Sequence, residues 1–231
     1  MRGSPEAPHF QERPTEAIVS DALRFGGPLL VASAACGLLG WSMLAAVLLG
    51  LSIFVASFFR NPQRFIPGDD SAVVAPADGR VIEVGEIEGS DGEKWLRVGI
   101  FLSVFNVHVN RAPVAGRVLS VERSGSKMLA AFNRDAESLN VRCDMPLEME
   151  GGTRVRVAQI TGLIARRIIC HPQVGEWIGR GERYGLIRFG SRTDVWLPLD
   201  AELRVMRGDR VRGGSSVLAL LPETAAQETA A

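Results

Sequence analysis

Tyr184-Gly185-Leu186-Ile187-Arg188-Phe189-Gly190-Ser191-Arg192-Thr193-Asp194-Val195-Trp196-Leu197-Pro198 sets a Gly-Ser pair between two apolar runs, 186–189 and 193–197, that read as β-strands. Glycine lets the backbone adopt strained geometry, and the serine hydroxyl after it lies one short step from the Gly190 carbonyl. An N→O acyl shift there converts the peptide bond into an ester. β-Elimination from that ester leaves a dehydroalanine, and loss of ammonia turns it into an N-terminal pyruvoyl group, a carbonyl electrophile made from the chain itself. A Gly-Ser pair is equally what an ordinary turn contains, so the pair needs partners elsewhere.

Working outward, the texture from Pro67-Gly68-Asp69-Asp70 onward is of short β-rich runs separated by Gly, Pro and Asp: 72–75, 80–86, 95–101, 116–121, 154–160 and 165–170, besides the two above. This predicts a mainly β domain, a barrel-sandwich or β-sandwich with few short helices. One helix is expected over 127–133, loosely continuing toward Ser138. Two stretches, 174–182 and 207–214, share Gly plus acid, a hydrophobe, then Gly, and resemble the hairpins of biotinyl/lipoyl barrel-sandwiches. The last residues, 222–231, read as a frayed tail.

Residues 1–24, with Pro5, Pro8, Pro14 and charges of both signs, read as an N-terminal tail. No charged residue occurs from Phe25 to Phe59, a run longer than one bilayer crossing needs. The run is too long, and lacks the small-residue cleavage site, for a secretory signal. It is expected to anchor the chain, as one tilted helix or, as preferred here, as two helices broken near Gly37 and Gly40. Arg60 and Arg64, interleaved with Phe54, Phe58, Phe59 and Phe65, suit a chain leaving the bilayer among headgroups. Residues 60–231 then form the globular domain, on the cytoplasmic side of the inner membrane.

The formal charge is zero, with 26 basic and 26 acidic residues, which argues against nucleic acid as a partner. Lys94 and Lys127 are the only lysines, so a Schiff-base lysine or a lipoylation site has little choice of position. Cys36, Cys143 and Cys170 are odd in number and widely spaced, which suits buried thiols in a reducing compartment; no metal site is expected.

Ala75-Pro76-Ala77-Asp78-Gly79-Arg80 places an acid at a turn, and Phe105-Asn106-Val107-His108-Val109-Asn110-Arg111 a histidine between valines. Each alone reads as structural. With Ser191 they make an Asp/His/Ser set, in which a carboxylate orients an imidazole and the imidazole removes the hydroxyl proton. Arg166 and Arg167, beside Ile168 and Ile169, are candidates for phosphate contact or for a solvated charge pair.

Together these motifs resemble the short, archaeal-type form of phosphatidylserine decarboxylase, a pyruvoyl-dependent, self-processing membrane enzyme. The likeness runs from Phe59-Arg60-Asn61-Pro62 to the Gly190-Ser191 stretch. The resemblance implies that Asp78, His108 and Ser191 drive a cut between Gly190 and Ser191, giving a β chain (1–190) and a pyruvoyl-headed α chain (191–231) that remain a heterodimer, with higher oligomers open. It implies phosphatidylserine as the membrane partner and substrate, the pyruvoyl group from Ser191 as cofactor and electron sink, and His108, with an ordinary imidazole pKa, as the acid that protonates the product carbon. Two departures stand out: the longer bacterial enzymes carry a histidine where this chain has Phe105, and their Gly-Ser-Thr reads Gly190-Ser191-Arg192 here. A membrane-anchored biotinyl/lipoyl-like adaptor would explain anchor and repeats without catalysis, but Gly179-Arg180 and Asp209-Arg210 stand where a carrier needs a lysine. A membrane-tethered zinc peptidase would need a second ligand where Asn110 stands.

Overall fold

The structure, a computed structural model of the uncut chain, describes residues 16–89, 92–127, 129, 139–162, 168–187 and 190–222. Its N-terminal part is two helices, α1 (Glu16–Leu38) and α2 (Ser42–Phe58). They reverse where the glycines stand: Gly40, at φ +78°, donates its N–H to the Gly37 carbonyl. Ser33 Oγ donates to the Ala45 carbonyl at 2.7 Å and Ser52 Oγ to the Gly26 carbonyl at 3.0 Å, pinning the pair side by side. Among the described residues no helix is long and apolar enough to cross a membrane. At 1.5 Å per residue α2 spans roughly 26 Å, short of the roughly 30 Å of a bilayer's hydrocarbon.

The rest is mainly β, as expected, and among the described residues the strands form three open sheets and no closed barrel. The middle of the largest runs, in spatial order, Arg142–Glu148, Arg154–Ile160, Ser191–Leu197, Lys94–Leu102 and Gly79–Glu88, every neighbour antiparallel. The strand that begins at Ser191 is thus central and buried along its whole length. On one face Val195 and Leu197 join Val98, Ile100, Val155, Val157 and Leu147 in the core. On the other, Arg192 and Asp194 form a buried ion pair, and Trp196 packs with Ala158 and Ile160 under the Arg156 guanidinium. A second sheet, Val109–Arg111 beside Arg183–Ile187 beside Ile168–Cys170, brings the histidine motif to the chain just before Gly190.

The suspected repeat is real, and it is paired with a second one. Gly175 and Gly181 flank the strand Trp177–Ile178, and Gly208 and Gly214 flank Arg210–Val211, all four at positive φ. Gly175 donates to the Val118 carbonyl and Gly208 to Val81; Gly181 donates to Ala112 and Gly214 to Ala75. These acceptors lie in two matching segments, Ala75-Pro76-Ala77-Asp78-Gly79-Arg80-Val81 and Ala112-Pro113-Val114-Ala115-Gly116-Arg117-Val118. The domain is built on a quasi-twofold motif in which Asp78 answers to Ala115.

Some expectations change. Lys127, expected to start a helix, instead bridges to Asn140, its N–H bonded to the Leu139 carbonyl. Residues 128 and 130–133 of that span lie outside the described residues, as do 165–167 and 188–189 of two expected strands, most of the 1–24 tail and all but the start of 222–231. The strand Arg142–Glu148 was not expected: Pro146 and alternating charges mask its inward Cys143, Met145 and Leu147.

Candidate active site

Gly190 sits at φ +56°, a left-handed conformation that favours glycine, and delivers the chain into the first residue of the central strand. Ser191 pairs with Leu102 there, is fully buried, and its Oγ has no hydrogen-bond partner. A buried hydroxyl normally finds a partner, so an idle one at a strand start is an exception with a reason.

His108 is reached through the second sheet. Leu186 pairs with Val109, and the Ile187 N–H meets the His108 carbonyl at 3.3 Å, so the histidine lies alongside the segment that leads to Gly190. Its ring is fully buried, Nδ1 lies 2.9 Å from the Asn106 carbonyl, and Nε2 has no partner. The Nδ1 contact makes Nδ1 the protonated nitrogen of the neutral ring and leaves Nε2 as a lone-pair acceptor. Burial, with a smaller contribution from the Arg60 charge and against the pull of the Asn106 carbonyl, lowers its pKa to about 4. The expectation of an ordinary imidazole is therefore corrected: His108 is a neutral base at physiological pH and holds no proton in reserve. Because neither Nε2 nor Ser191 Oγ has a partner, the two are not hydrogen-bonded to each other in the uncut chain.

Asp78 lies at the same end of the central sheet, across the Lys94 strand from Ser191, on the order of 10 Å away by two strand spacings. A Cβ on Gly79 would collide with the Phe101 carbonyl, so the residue after Asp78 has to be glycine for the turn to press this close. The expected Asp78–His108 hydrogen bond is absent. Asp78 instead takes Arg64 Nη2 on both oxygens, at 2.9 and 2.7 Å, and the Gly213 N–H at 2.8 Å. Three hydrogen bonds from two donors occupy the carboxylate, and the Asn106 carbonyl holds the nitrogen it was expected to orient. Arg166 and Arg167 lie outside the described residues.

Several neighbours escaped the sequence reading. Phe58, at the end of α2, covers the imidazole with ring centroids 4.1 Å apart, and with Phe59 it packs on Val107, Val109 and Leu186. Thr193, two residues beyond Ser191 on the same strand face, stands opposite Gln159, whose Nε2 donates to Asn110 Oδ1 at 2.8 Å. Thr193 Oγ1, Gln159 Oε1 and Asn110 Nδ2 are buried without partners, a polar lining between the two sheets next to Ser191. Asn110 flanks the histidine, but the Gln159 link depends on non-local pairing that no local pattern announces.

The departure at Arg192 has a structural explanation. Its Nε donates to Asp194 at 2.5 Å and Nη2 to Glu83 at 2.7 Å, while Arg97 also pairs with Glu83. Burial alone would lower the Arg192 pKa; the Asp194 and Glu83 carboxylates more than reverse this and raise it. Gly99 leaves the room, since a Cβ there would sit 2.8 Å from Arg192 Nη2.

Comparison with known proteins decides the family. The family model for phosphatidylserine decarboxylase matches residues 51–219, which spans Asp78, His108 and Ser191 together. The chain belongs to the phosphatidylserine decarboxylase family. It is 49% identical over 186 residues to the phosphatidylserine decarboxylase proenzyme of Geotalea uraniireducens, covering 80% of this chain and 87% of that one. It is 48% identical over 208 residues to the proenzyme of Symbiobacterium thermophilum, covering 89% and 96%, and 43% identical over 202 residues to that of Geotalea daltonii, covering 87% and 95%. In this member of the phosphatidylserine decarboxylase family, Ser191 follows a left-handed Gly190 and is buried with its hydroxyl unpartnered.

Proposed function

We infer that this chain cuts itself between Gly190 and Ser191 and then decarboxylates phosphatidylserine to phosphatidylethanolamine and carbon dioxide. The observation that carries this is the buried, unpartnered Ser191 hydroxyl behind Gly190 at φ +56°, with a neutral buried imidazole on the adjoining chain. In maturation, His108 Nε2 takes the Ser191 proton, directly after a small side-chain rotation or through one water, as Oγ attacks the Gly190 carbonyl carbon. The C–N bond breaks as His108 returns that proton to the leaving amine; removal of the Ser191 Cα proton then eliminates the Gly190 carboxylate, and water converts the dehydroalanine to pyruvoyl with release of ammonia.

The lining fits the pyruvoyl group that would replace Ser191: Thr193 Oγ1 and Asn110 Nδ2 are buried donors without partners beside a position closed to bulk water. When formed, that group supplies an electron sink for the pair released with carbon dioxide. Around it, His108 accepts a proton first, because a group with a pKa near 4 donates only after it has been loaded within the cycle. Phe58 keeps water from the imidazole. Asp78 acts at one remove, tying Arg64 and the Gly213 loop to the turn. Its counterpart in the quasi-twofold motif, Ala115, shows that the turn itself does not need an acid.

The position of the cut supports a stable heterodimer of chains 1–190 and 191–231. The latter supplies the central strand Ser191–Leu197 together with Glu202–Leu203, Arg210–Val211 and Val217–Leu220, strands in two different sheets. Residues 25–59 serve as the anchor in the inner membrane, with the β domain on its cytoplasmic side. The exposed Leu38, Leu39, Trp41 and Met43 at the helical turn and Val31, Val47 and Ile53 along the helices support an apolar surrounding for the hairpin. The reversal of the helical pair at Gly37 and Gly40 suits a hairpin with both ends on one side. Purified protein mixed with phosphatidylserine micelles should release carbon dioxide and accumulate phosphatidylethanolamine; cleaved protein that releases none would contradict the assignment.

A further inference from the structure

Arg60 is the first charged residue after the helical pair, and its guanidinium is fixed by neutral acceptors. Nη1 donates to the Ser57 carbonyl at 2.7 Å and to Ser57 Oγ at 3.2 Å, and Nη2 to the Phe105 carbonyl at 2.6 Å. No carboxylate among the described residues meets it, whereas Arg64, four residues on, is neutralised by Asp78 at 2.7 Å. The arginine is exposed, yet close enough to His108 for its charge to oppose protonation of the imidazole. Exposed aromatic surface borders it: Phe105, whose carbonyl it holds, meets Phe54 of α2 edge-on at 6.0 Å between ring centroids. A cation is thus held in fixed orientation, without a counter-ion, between an apolar rim and the base of the active site.

We propose that Arg60 binds the phosphodiester of the substrate headgroup and so sets where the reacting serine moiety lies. The inference rests on the phosphatidylserine decarboxylase reading. In that substrate a two-carbon spacer separates the phosphodiester from the amine, so an amine at position 191 leaves the phosphate in the neighbourhood of the site mouth. The substrate carries two anions, and the chemistry selects between them. A cation on the carboxylate would stabilise the charge that must leave as carbon dioxide forms, holding the ground state below the transition state. The phosphodiester keeps its charge throughout, so a cation there strengthens substrate and transition state alike, which lowers KM and leaves kcat unchanged. Guanidinium is suited to this, because its planar donors match phosphate oxygens and the Ser57 and Phe105 carbonyls already order it. Arg60 also caps the C-terminus of α2; that role alone predicts an effect on stability and none on KM.

The test compares wild-type enzyme, Arg60→Gln and Arg60→Lys, each scored first for self-cleavage and melting temperature, with phosphatidylserine presented in neutral detergent micelles so that surface charge is constant. In Arg60→Gln, KM should rise about 10-fold to 100-fold, the range for a lost charge-assisted contact, with kcat within about threefold of wild type. Arg60→Lys should recover part of the KM. In the wild type, glycerophosphoethanolamine should inhibit at least about tenfold more strongly than ethanolamine, and in Arg60→Gln that ratio should fall toward one. An unchanged KM and inhibitor ratio overturn the proposal and leave Arg60 as a helix cap. A fall in kcat at constant KM also overturns it, placing the effect on His108. If Arg60→Gln fails to fold, the Arg60→Lys variant and the wild-type inhibitor ratio decide, and equal inhibition by the two probes overturns the proposal. A wild type that releases no carbon dioxide refutes the decarboxylase reading itself, a different outcome from any of these.

Discussion

The Phe58 ring stands 4.1 Å from the His108 imidazole, tilted by 33°, so the last residue of the N-terminal helical pair is the cover of the candidate base. The helical pair and the candidate site are one packed unit, because Phe58 and Phe59 share a buried cluster with Val107, Val109 and Leu186. A domain boundary drawn between residues 59 and 60 passes through this contact. A truncation lacking 1–59 is predicted to mature less well than one that keeps Phe58 and Phe59, as followed by the fraction of cleaved chain.

Opening that cover should retune the base. Phe58→Ala removes much of the burial that holds the His108 pKa near 4, and the pKa should climb toward the ordinary 6.5. Maturation by a neutral base should then fail at higher pH than in the wild type. The readout is cleavage rate against pH, with Phe58→Leu as a milder companion in case the alanine variant loses about 3–5 kcal/mol and unfolds. An unshifted acid limb in both would contradict the cover.

The same depression links stability to pH. His108 binds its proton near 4 when folded and near 6.5 when unfolded, so between those values the unfolded chain holds more protons. Stability therefore rises with pH through this window; the penalty is complete below about 4, absent above 6.5, and on the order of 3 kcal/mol. Urea denaturation of Ser191→Ala at pH 7 and pH 5 should show this slope, and adding His108→Gln should flatten it. Equal slopes in the two proteins would contradict a buried neutral histidine.

Asp78 and Arg64 should behave as one unit. Asp78→Asn and Arg64→Gln are each predicted to slow cleavage, and the double variant should be little worse than either single one, because both singles break the same contact. Were Asp78 acting on His108 independently of Arg64, the two effects would multiply. Cleavage rates of the four proteins by mass decide.

The elements that carry the candidate site were legible before the fold was known, for identifiable reasons. The apolar runs on either side of Gly190-Ser191 mark two strands with a break, and the charge-free run with glycines near its middle marks two helices; both are local patterns. The partners of Asp78 were not legible. Arg64 and Gly213 lie on either side of it at very different distances along the chain, and only the meeting of turn, linker and loop brings them together. The same holds for Gln159 and Asn110, joined across sheets. The likeness between 75–81 and 112–118 was in the sequence, but it is too short to stand out until the hydrogen bonds of Gly208 and Gly175 show the two segments in matching places.

Arg192 offers a test of the central sheet. It neutralises a fully buried Asp194 and shares Glu83 with Arg97. Arg192→Thr takes one guanidinium away from the buried Asp194 and from Glu83, and should lower the melting temperature by about 5 °C or more. A change under about 2 °C would mean that the network contributes nothing net.

The central claim is that Ser191 is consumed in breaking the bond to Gly190. Intact mass spectrometry of the purified protein under denaturing conditions measures this directly. The account predicts two species, residues 1–190 with an ordinary C-terminal carboxylate and residues 191–231 lighter than the serine-headed peptide and blocked at the amino terminus, with Ser191→Ala remaining a single uncut chain. A single full-length species in a preparation that releases carbon dioxide from phosphatidylserine would contradict it.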